Sequence, residues 1–130
     1  MIIDDSAVVR RIIEGILIRE GYLVDSFSHG PEAMQALSTG QVPPPDLVLL
    51  DIQLPFMDGY SVAKLFHQNR DLEHVIVVMV SGNDGMFDKF RGRIAGAKAY
   101  ITKPFKPGEV LSVVHDLLAG GTPATQERLA

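Results

Sequence analysis

The sequence predicts an α/β fold, a five-stranded parallel sheet covered on both faces by helices. Two observations carry this. Apolar strand-like runs alternate along the chain with segments whose apolar residues recur at helical spacing. The clearest run, VIVVMV at 75–80, is apolar on both faces and rich in β-branched residues, as a strand covered from both sides requires. With 130 residues the chain has the length of one ordinary domain with one sizeable core.

The elements follow in order. MII at 1–3 is the first strand, unusually short. Ser6 to Arg19 form a helix in which Val9, Ile12, Ile13, Ile16 and Leu17 make an apolar stripe, and Gly21 stops it. YLVDSF at 22–27 is the second strand. Pro31 to Leu37 form a helix with proline in its first turn, and the breaker-rich loop STGQVPPPD follows. LVLL at 47–50 is the third strand, and a helix spans about Tyr60 to Gln68. After the fourth strand comes a weaker helix at Gly85 to Ile94, then the strand AYIT at 99–102. A last helix runs from Pro107 to Ala119, with Val110, Leu111, Val114, Leu117 and Leu118 on one face. The domain therefore occupies 1–119, and GGTPATQERLA at 120–130 reads as a polar tail or the start of a linker.

Apolar residues make up 46% and charged residues 22%, a globular balance. A net charge of −4 argues against a surface that coats nucleic acid, and direct nucleic-acid binding is not expected. The chain has no cysteine, which excludes disulfides, thiolate zinc sites and thiol catalysis. No run has the length of a membrane span and no signal-peptide pattern opens the sequence, so the expected location is the cytoplasm.

In parallel α/β sheets ligands gather at the carboxyl ends of the strands. Here those ends carry Asp4 and Asp5, Asp51, Ser81 and Lys103, while the second strand runs on to Ser28 and His29, at an end less suited to share the crevice. Each has a plain alternative. Asp4 and Asp5 before Ser6 could cap a helix. Asp51 could start the turn that contains Pro55 and Gly59. Ser81 could be strand-end punctuation, and Lys103 a solvated charge before Pro104. None of these explains convergence, because a sheet ordered 2-1-3-4-5 brings the ends of strands one, three, four and five to one crevice. Three carboxylates, a hydroxyl and an ammonium there suit metal-assisted phosphoryl transfer. Asp4, Asp5 and Asp51 would hold Mg²⁺, a hard cation that takes carboxylate oxygens. A carboxylate can also be the nucleophile, with Lys103 and Ser81 stabilising the phosphoryl oxygens.

DDS at 4–6, LLDIQLPFMDGY at 49–60, VSG at 80–82 and YITKPF at 100–105 together resemble the receiver domain of two-component response regulators. The resemblance covers Met1 to about Leu118 and implies a flavodoxin-like (CheY-like) fold. It implies Asp51 as phosphoacceptor, Asp4 and Asp5 as the acidic pair for Mg²⁺ (Asp5 the direct ligand, Asp4 through water), and the backbone carbonyl of Gln53 as a further ligand. It assigns Ser81 to the phosphoryl group, Lys103 as the basic residue and Tyr100 as the aromatic switch, and implies a cis Lys103–Pro104 bond. Gln53 and Asn83 fall where family members tune dephosphorylation, and Gly82 stands where alanine is commoner. A narrower stretch, DGMFDKFRGRIAGAKAYITKPF at 84–105, is similar to the small receivers of chemotaxis-like systems that control type IV pili and twitching motility, of the PilG kind. In it Gly85, Gly92 and Gly96 flank or interrupt the weaker helix, with Phe87, Phe90 and Ile94 packed on the sheet and Lys89, Arg91, Arg93 and Lys98 solvated.

The function this implies is a phosphorylation-activated signalling module rather than an enzyme. A histidine kinase donates the phosphoryl group to Asp51, Ser81 moves inward, Tyr100 follows, and the face of the weaker helix, fifth strand and last helix changes its affinity for an output protein or attached domain. A phosphorylation-dependent homodimer belongs to the same expectation. A haloacid-dehalogenase-like phosphatase would place a second aspartate where Gln53 stands. An FMN carrier would have its phosphate repelled by Asp4 and Asp5. An interaction-only receiver would not need the full set of phosphorylation residues.

Overall fold

The computed structural model describes residues 1–82, 91, 93 and 95–120. Five strands, β1 (Ile2–Ile3), β2 (Ser26–Phe27), β3 (Leu47–Asp51), β4 (Ile76–Ser81) and β5 (Ala99–Thr102), form one sheet in the order β2-β1-β3-β4-β5. Every neighbouring pair is parallel. Four helices are described: α1 (Ala7–Arg19), α2 (Gly30–Ser38), α3 (Gly59–Gln68) and α4 (Pro107–Leu118). The weaker helix expected at 85–94 lies outside the described residues apart from Arg91 and Arg93, as do Asn83, Gly85, Gly92 and the tail beyond Gly120.

Strand alternation builds two cores from single runs of sequence. Ile3, Val48, Leu50, Val77, Met79 and Tyr100 point to one face, where α2 and α3 cover them with Ala33, Val62 and Phe66. Ile2, Leu47, Leu49, Val78, Val80 and Ile101 point to the other, under Ile13 and Leu17 of α1 and Val110, Val113, Val114 and Leu117 of α4. Full burial of each such side chain stabilises the fold by about 1.5–3 kcal/mol before conformational entropy is set against it. Apolar residues in consecutive positions are what a sheet with two covered faces needs, as the sequence predicts.

The helix ends follow local chemistry. Ser6 caps α1, its hydroxyl accepting from the Val9 N–H at 3.2 Å, and Gly21 beyond the last turn adopts φ +91°. Asp58 caps α3 through the Ser61 N–H at 2.8 Å, and His29 caps α2 through the Glu32 N–H at 3.2 Å.

Three expectations are corrected. The second strand is only Ser26–Phe27, and Leu23 is 99% exposed. β2 is an edge strand whose sole neighbour, β1, is two residues long, so pairing ends with it. In α1 the buried side is Ile13, Ile16 and Leu17, whereas Ile12 is exposed on the flank. In α4, Val113 is buried and Leu118 is exposed, because the helix packs between the sheet and α1 on the 110/113/114/117 stripe.

Candidate functional site

The strand register decides which polar residues meet. Ile3 lies opposite Leu50, so Asp4 is level with Asp51 across the β1–β3 pair. Asp51 lies opposite Val80, which leaves Ser81 one step beyond it, and Ser81 lies opposite Thr102, which places Lys103 one step beyond that. Asp4, Asp51 and Ser81 are buried despite their polarity, and Asp5 beside them is exposed. Carboxylate oxygens of Asp4, Asp5 and Asp51 all lie within 4.8 Å of one another.

Each side chain is held by its own element. Asp4 accepts from the Ser6 N–H at 2.9 Å through Oδ1, and its backbone oxygen accepts from Arg10 Nη1 at 2.6 Å. The helix cap is therefore Ser6, and the two acids before it are left for other partners. Lys103 Nζ donates to Asp4 Oδ2 at 3.0 Å and lies 3.6 Å from Asp51 Oδ2. The plain alternative of a solvated charge does not hold for it, since its side chain is only 25% exposed and bridges two carboxylates. Asp51 Oδ1 accepts from the Gln53 N–H at 3.2 Å, so this carboxylate starts the turn and also faces the crevice. The Lys103 N–H donates to the Ser81 carbonyl at 2.7 Å, joining β4 to β5 below the site, and the Lys103–Pro104 bond is cis as expected. Tyr100 is buried in the α2/α3-side core.

Gly59 is required by this geometry. A Cβ there would come 2.3 Å from the Asp51 backbone oxygen and 2.8 Å from the Ile52 Cα, while the Gly59 N–H donates to the Ile52 carbonyl at 2.8 Å. Among the described residues nothing lies within 4 Å of where a Cβ at Gly82 would stand.

Burial raises the Asp51 carboxyl above its ordinary value, and the neighbouring Asp4 charge adds to this, against the opposing pull of Lys103. Burial alone would lower Lys103, but its hydrogen bond to Asp4 and the Asp51 charge outweigh that and hold it above its ordinary value. A concentration of negative charge only partly neutralised by one ammonium is the setting a divalent cation relieves. The donors present, carboxylate oxygens close enough to share one ion, fit Mg²⁺.

Two features were not anticipated. Phe56, in the loop after Asp51, is 83% exposed with φ +69°, and its ring meets His29 at 4.9 Å between centroids. His29 therefore does reach the loop that borders the crevice. Its sequence signal was weak: an apolar residue within a turn is easily assigned to the core, as its neighbours Leu54 and Met57 are. Arg91, exposed as expected, also stands over the Tyr60 ring at 4.1 Å.

The family model for the response regulator receiver domain matches residues 1–115. The chain is 35% identical to Protein PilG of Pseudomonas aeruginosa, over 95% of this chain and 89% of that protein. It is 36% identical to the alkaline phosphatase synthesis transcriptional regulatory protein PhoP of Bacillus subtilis, over 91% of this chain but only 47% of that protein, so it spans about half the length of such regulators. A CheY-like response regulator receiver domain protein from Methanospirillum hungatei superposes with a TM-score of 0.82 at 28% identity, covering 92% of this chain and 91% of that one. Receiver domains bind Mg²⁺ at acidic residues, and this chain clusters three aspartates at the carboxyl ends of β1 and β3. With the parallel sheet ordered 2-1-3-4-5, the buried acids at its carboxyl edge and the match over nearly all of its length, the chain belongs to the response regulator receiver domain family.

Proposed function

We propose that this protein is a phosphorylation-controlled signalling receiver that takes a phosphoryl group from a histidine kinase onto Asp51 and passes the signal on by changed partner binding. The observation that carries this is the junction of Asp51, Asp4 and Lys103, with one ammonium 3.0 Å and 3.6 Å from two carboxylates at adjoining strand ends. In the transfer an Asp51 Oδ forms a bond to phosphorus as the bond from phosphorus to the donor's imidazole nitrogen breaks; the electron pair stays on that nitrogen, and the donor ring, protonated on its other nitrogen beforehand, leaves as neutral histidine beside the aspartyl-phosphate. Lys103, 3.6 Å from Asp51, would neutralise charge on the transferred group, and Ser81, one step along β4, would donate a hydrogen bond to it. Asp5, Asp4, Asp51 and the Gln53 carbonyl would hold Mg²⁺. When bound, the ion supplies charge neutralisation for the phosphoryl oxygens.

Tyr100 and the face that includes β5 and α4 would carry the change outward to an output partner or an attached domain. The likeness to PilG favours a chemotaxis-like system acting on surface motility as the setting, with the cytoplasm as its place of action. The chain acts as a phosphoacceptor rather than by turnover: position 53, where a phosphatase of the aspartate-nucleophile type would carry its acid, is a glutamine.

The test is incubation with Mg²⁺ and acetyl phosphate, followed by intact mass. Wild type gains one phosphoryl group, and Asp51→Asn gains none. Equal labelling of the variant, or steady turnover of a phosphate ester in excess over protein, would overturn the reading.

A further inference from the structure

At the end of the sheet opposite the aspartates, the middle of the sheet is open. β1 pairs only through Ile2 and Ile3, whereas the chain on either side of it runs further back, at 22–24 before β2 and at 45–47 into β3. Between those two segments, behind Met1, lies a cavity of about 310 Å³. The segments form its walls, and Leu17 of α1 with Val114 and Leu118 of α4 line one side. Leu23, on the rim, is exposed.

Strand register gives this slot a direction and a length. Ile2 lies opposite Ser26 and Leu49, so positions counted back from Met1 would face the pairs 24/47, 23/46 and 22/45. The ladder bonds alternate between the walls. Met1 donates to the Leu47 carbonyl and accepts from the Leu49 N–H, both at 2.9 Å, and Ile2 donates to the Asp25 carbonyl at 2.9 Å. Carried back, the same alternation aims the Leu23 carbonyl and Asp25 N–H into the slot from one wall and the Leu47 N–H from the other. Pro45 has no N–H to add, so pairing ends after about three residues. Side chains alternate too. Ile2 lies in the core under α1 and α4, and Ile3 and Met1 in the core under α2 and α3. The position before Met1 therefore faces Leu17 and Val114 and calls for an apolar side chain.

The inner end decides how an occupant is joined. Burial pushes the Met1 amino group down to about 6, against the Asp25 and Asp46 charges, which favour its protonated form. A separate strand ending here would set a carboxylate beside those two acids, and one passing through would be stopped by β1 itself. A peptide bond to the Met1 nitrogen is neutral and keeps the bond to Leu47.

We propose that this slot is a strand-acceptor site, which takes one extended apolar segment of about three residues that continues β1 backward from Met1, parallel to β2 and β3. It lies at the opposite end of the sheet from Asp51 and stands independently of the receiver reading.

The test is extension of the chain. Val-Ile-Val placed directly before Met1, behind a new initiator, should raise the thermal midpoint by roughly 5 °C or more. It should also slow amide exchange at Asp25 and Leu47 by roughly tenfold or more. Gly-Ser-Gly in the same place should change neither, because it brings no apolar side chain into the core. Val-Ile-Asp, whose acid would be turned toward Leu17 and Val114, should lose the gain. No shift with Val-Ile-Val, or an equal shift with every extension, would overturn the proposal. So would an equal rise from acetyl-Val-Ile-Val-amide added to the unextended chain, which would assign the slot to a separate partner. Concentration-dependent dimerisation that protects the same amides would overturn it as well, by assigning the slot to a second copy.

Discussion

Two loops leave adjoining strands at the crevice, and they are built in opposite ways. The β1–α1 connection is two acids and a cap, and its polar groups are engaged: Asp4 accepts from Ser6 and Lys103, its carbonyl accepts from Arg10, and Ser6 caps the helix. The β3–α3 connection is longer, turns through a left-handed phenylalanine, and passes so close beneath itself that only glycine fits at 59. The first loop fixes charge for chemistry. The second holds a buried carboxylate, Asp51, at one end and turns an exposed aromatic residue, Phe56, out against His29. The difference shows that two strand ends can contribute to one charged cluster through loops built on different principles, one closed by hydrogen bonds and one by a close backbone approach at Gly59.

The largest expected effect strikes the second loop. Gly59→Ala would drive a methyl group against the Asp51 backbone oxygen, 2.3 Å away in the present geometry, and only backbone movement can make room. We expect a loss of about 3 kcal/mol in urea unfolding, at the upper end for overpacking, and loss of Asp51 labelling with it. A variant that unfolds like wild type would mean the loop is slack and would erase the contrast.

Lys103→Met attacks the first loop's electrostatics and leaves Asp4 and Asp51 facing each other without their shared ammonium. With Lys103 partly solvated, the expected cost at neutral pH is about 1–3 kcal/mol. The pH dependence has a definite sign. The folded-state pKa of Asp51 lies above the ordinary 3.8, so its contribution to stability is fully present below that value and is lost as pH rises through the folded pKa. Removing Lys103 removes an opposing charge and enlarges that loss. The gap between variant and wild type should therefore be wide at neutral pH and narrow on acidification, as read from chemical denaturation across pH. Added Mg²⁺ should narrow it too.

The smallest effects concern the two caps. Ser6→Ala and Asp58→Ala each remove one hydroxyl or carboxylate bond to a helix N–H and should cost about 1 kcal/mol apiece. Equal costs, measured by thermal unfolding, would show that both loops launch their helices alike and differ only in what lies before the cap.

Much of this site was legible as sequence because strands and their ends are short-range features. Asp51 and Ser81 follow continuous apolar runs, and Lys103 precedes a proline after AYIT, so each is marked as a strand end without any partner in view. Leu23 and Ile12 were misplaced for one reason. YLV and the 9/12/13/16/17 stripe satisfy strand and helix patterns, but burial depends on what lies opposite, and β2 has only two residues of β1 beside it. Phe56 and His29 are 27 positions apart in the numbering, and no local pattern announces that a cap on α2 will support a turn after β3.

The sequence by itself determined the order of elements, the two-faced apolar runs and the set of polar residues at the carboxyl ends, because period and chain termination of a strand are local properties. Only the tertiary structure decided that Lys103 bridges Asp4 and Asp51, that Asp5 stays exposed while Asp4 is buried, and that Phe56 is turned outward. Those outcomes depend on strand register and on close contacts between residues as far apart as 4 and 103, which no local preference encodes.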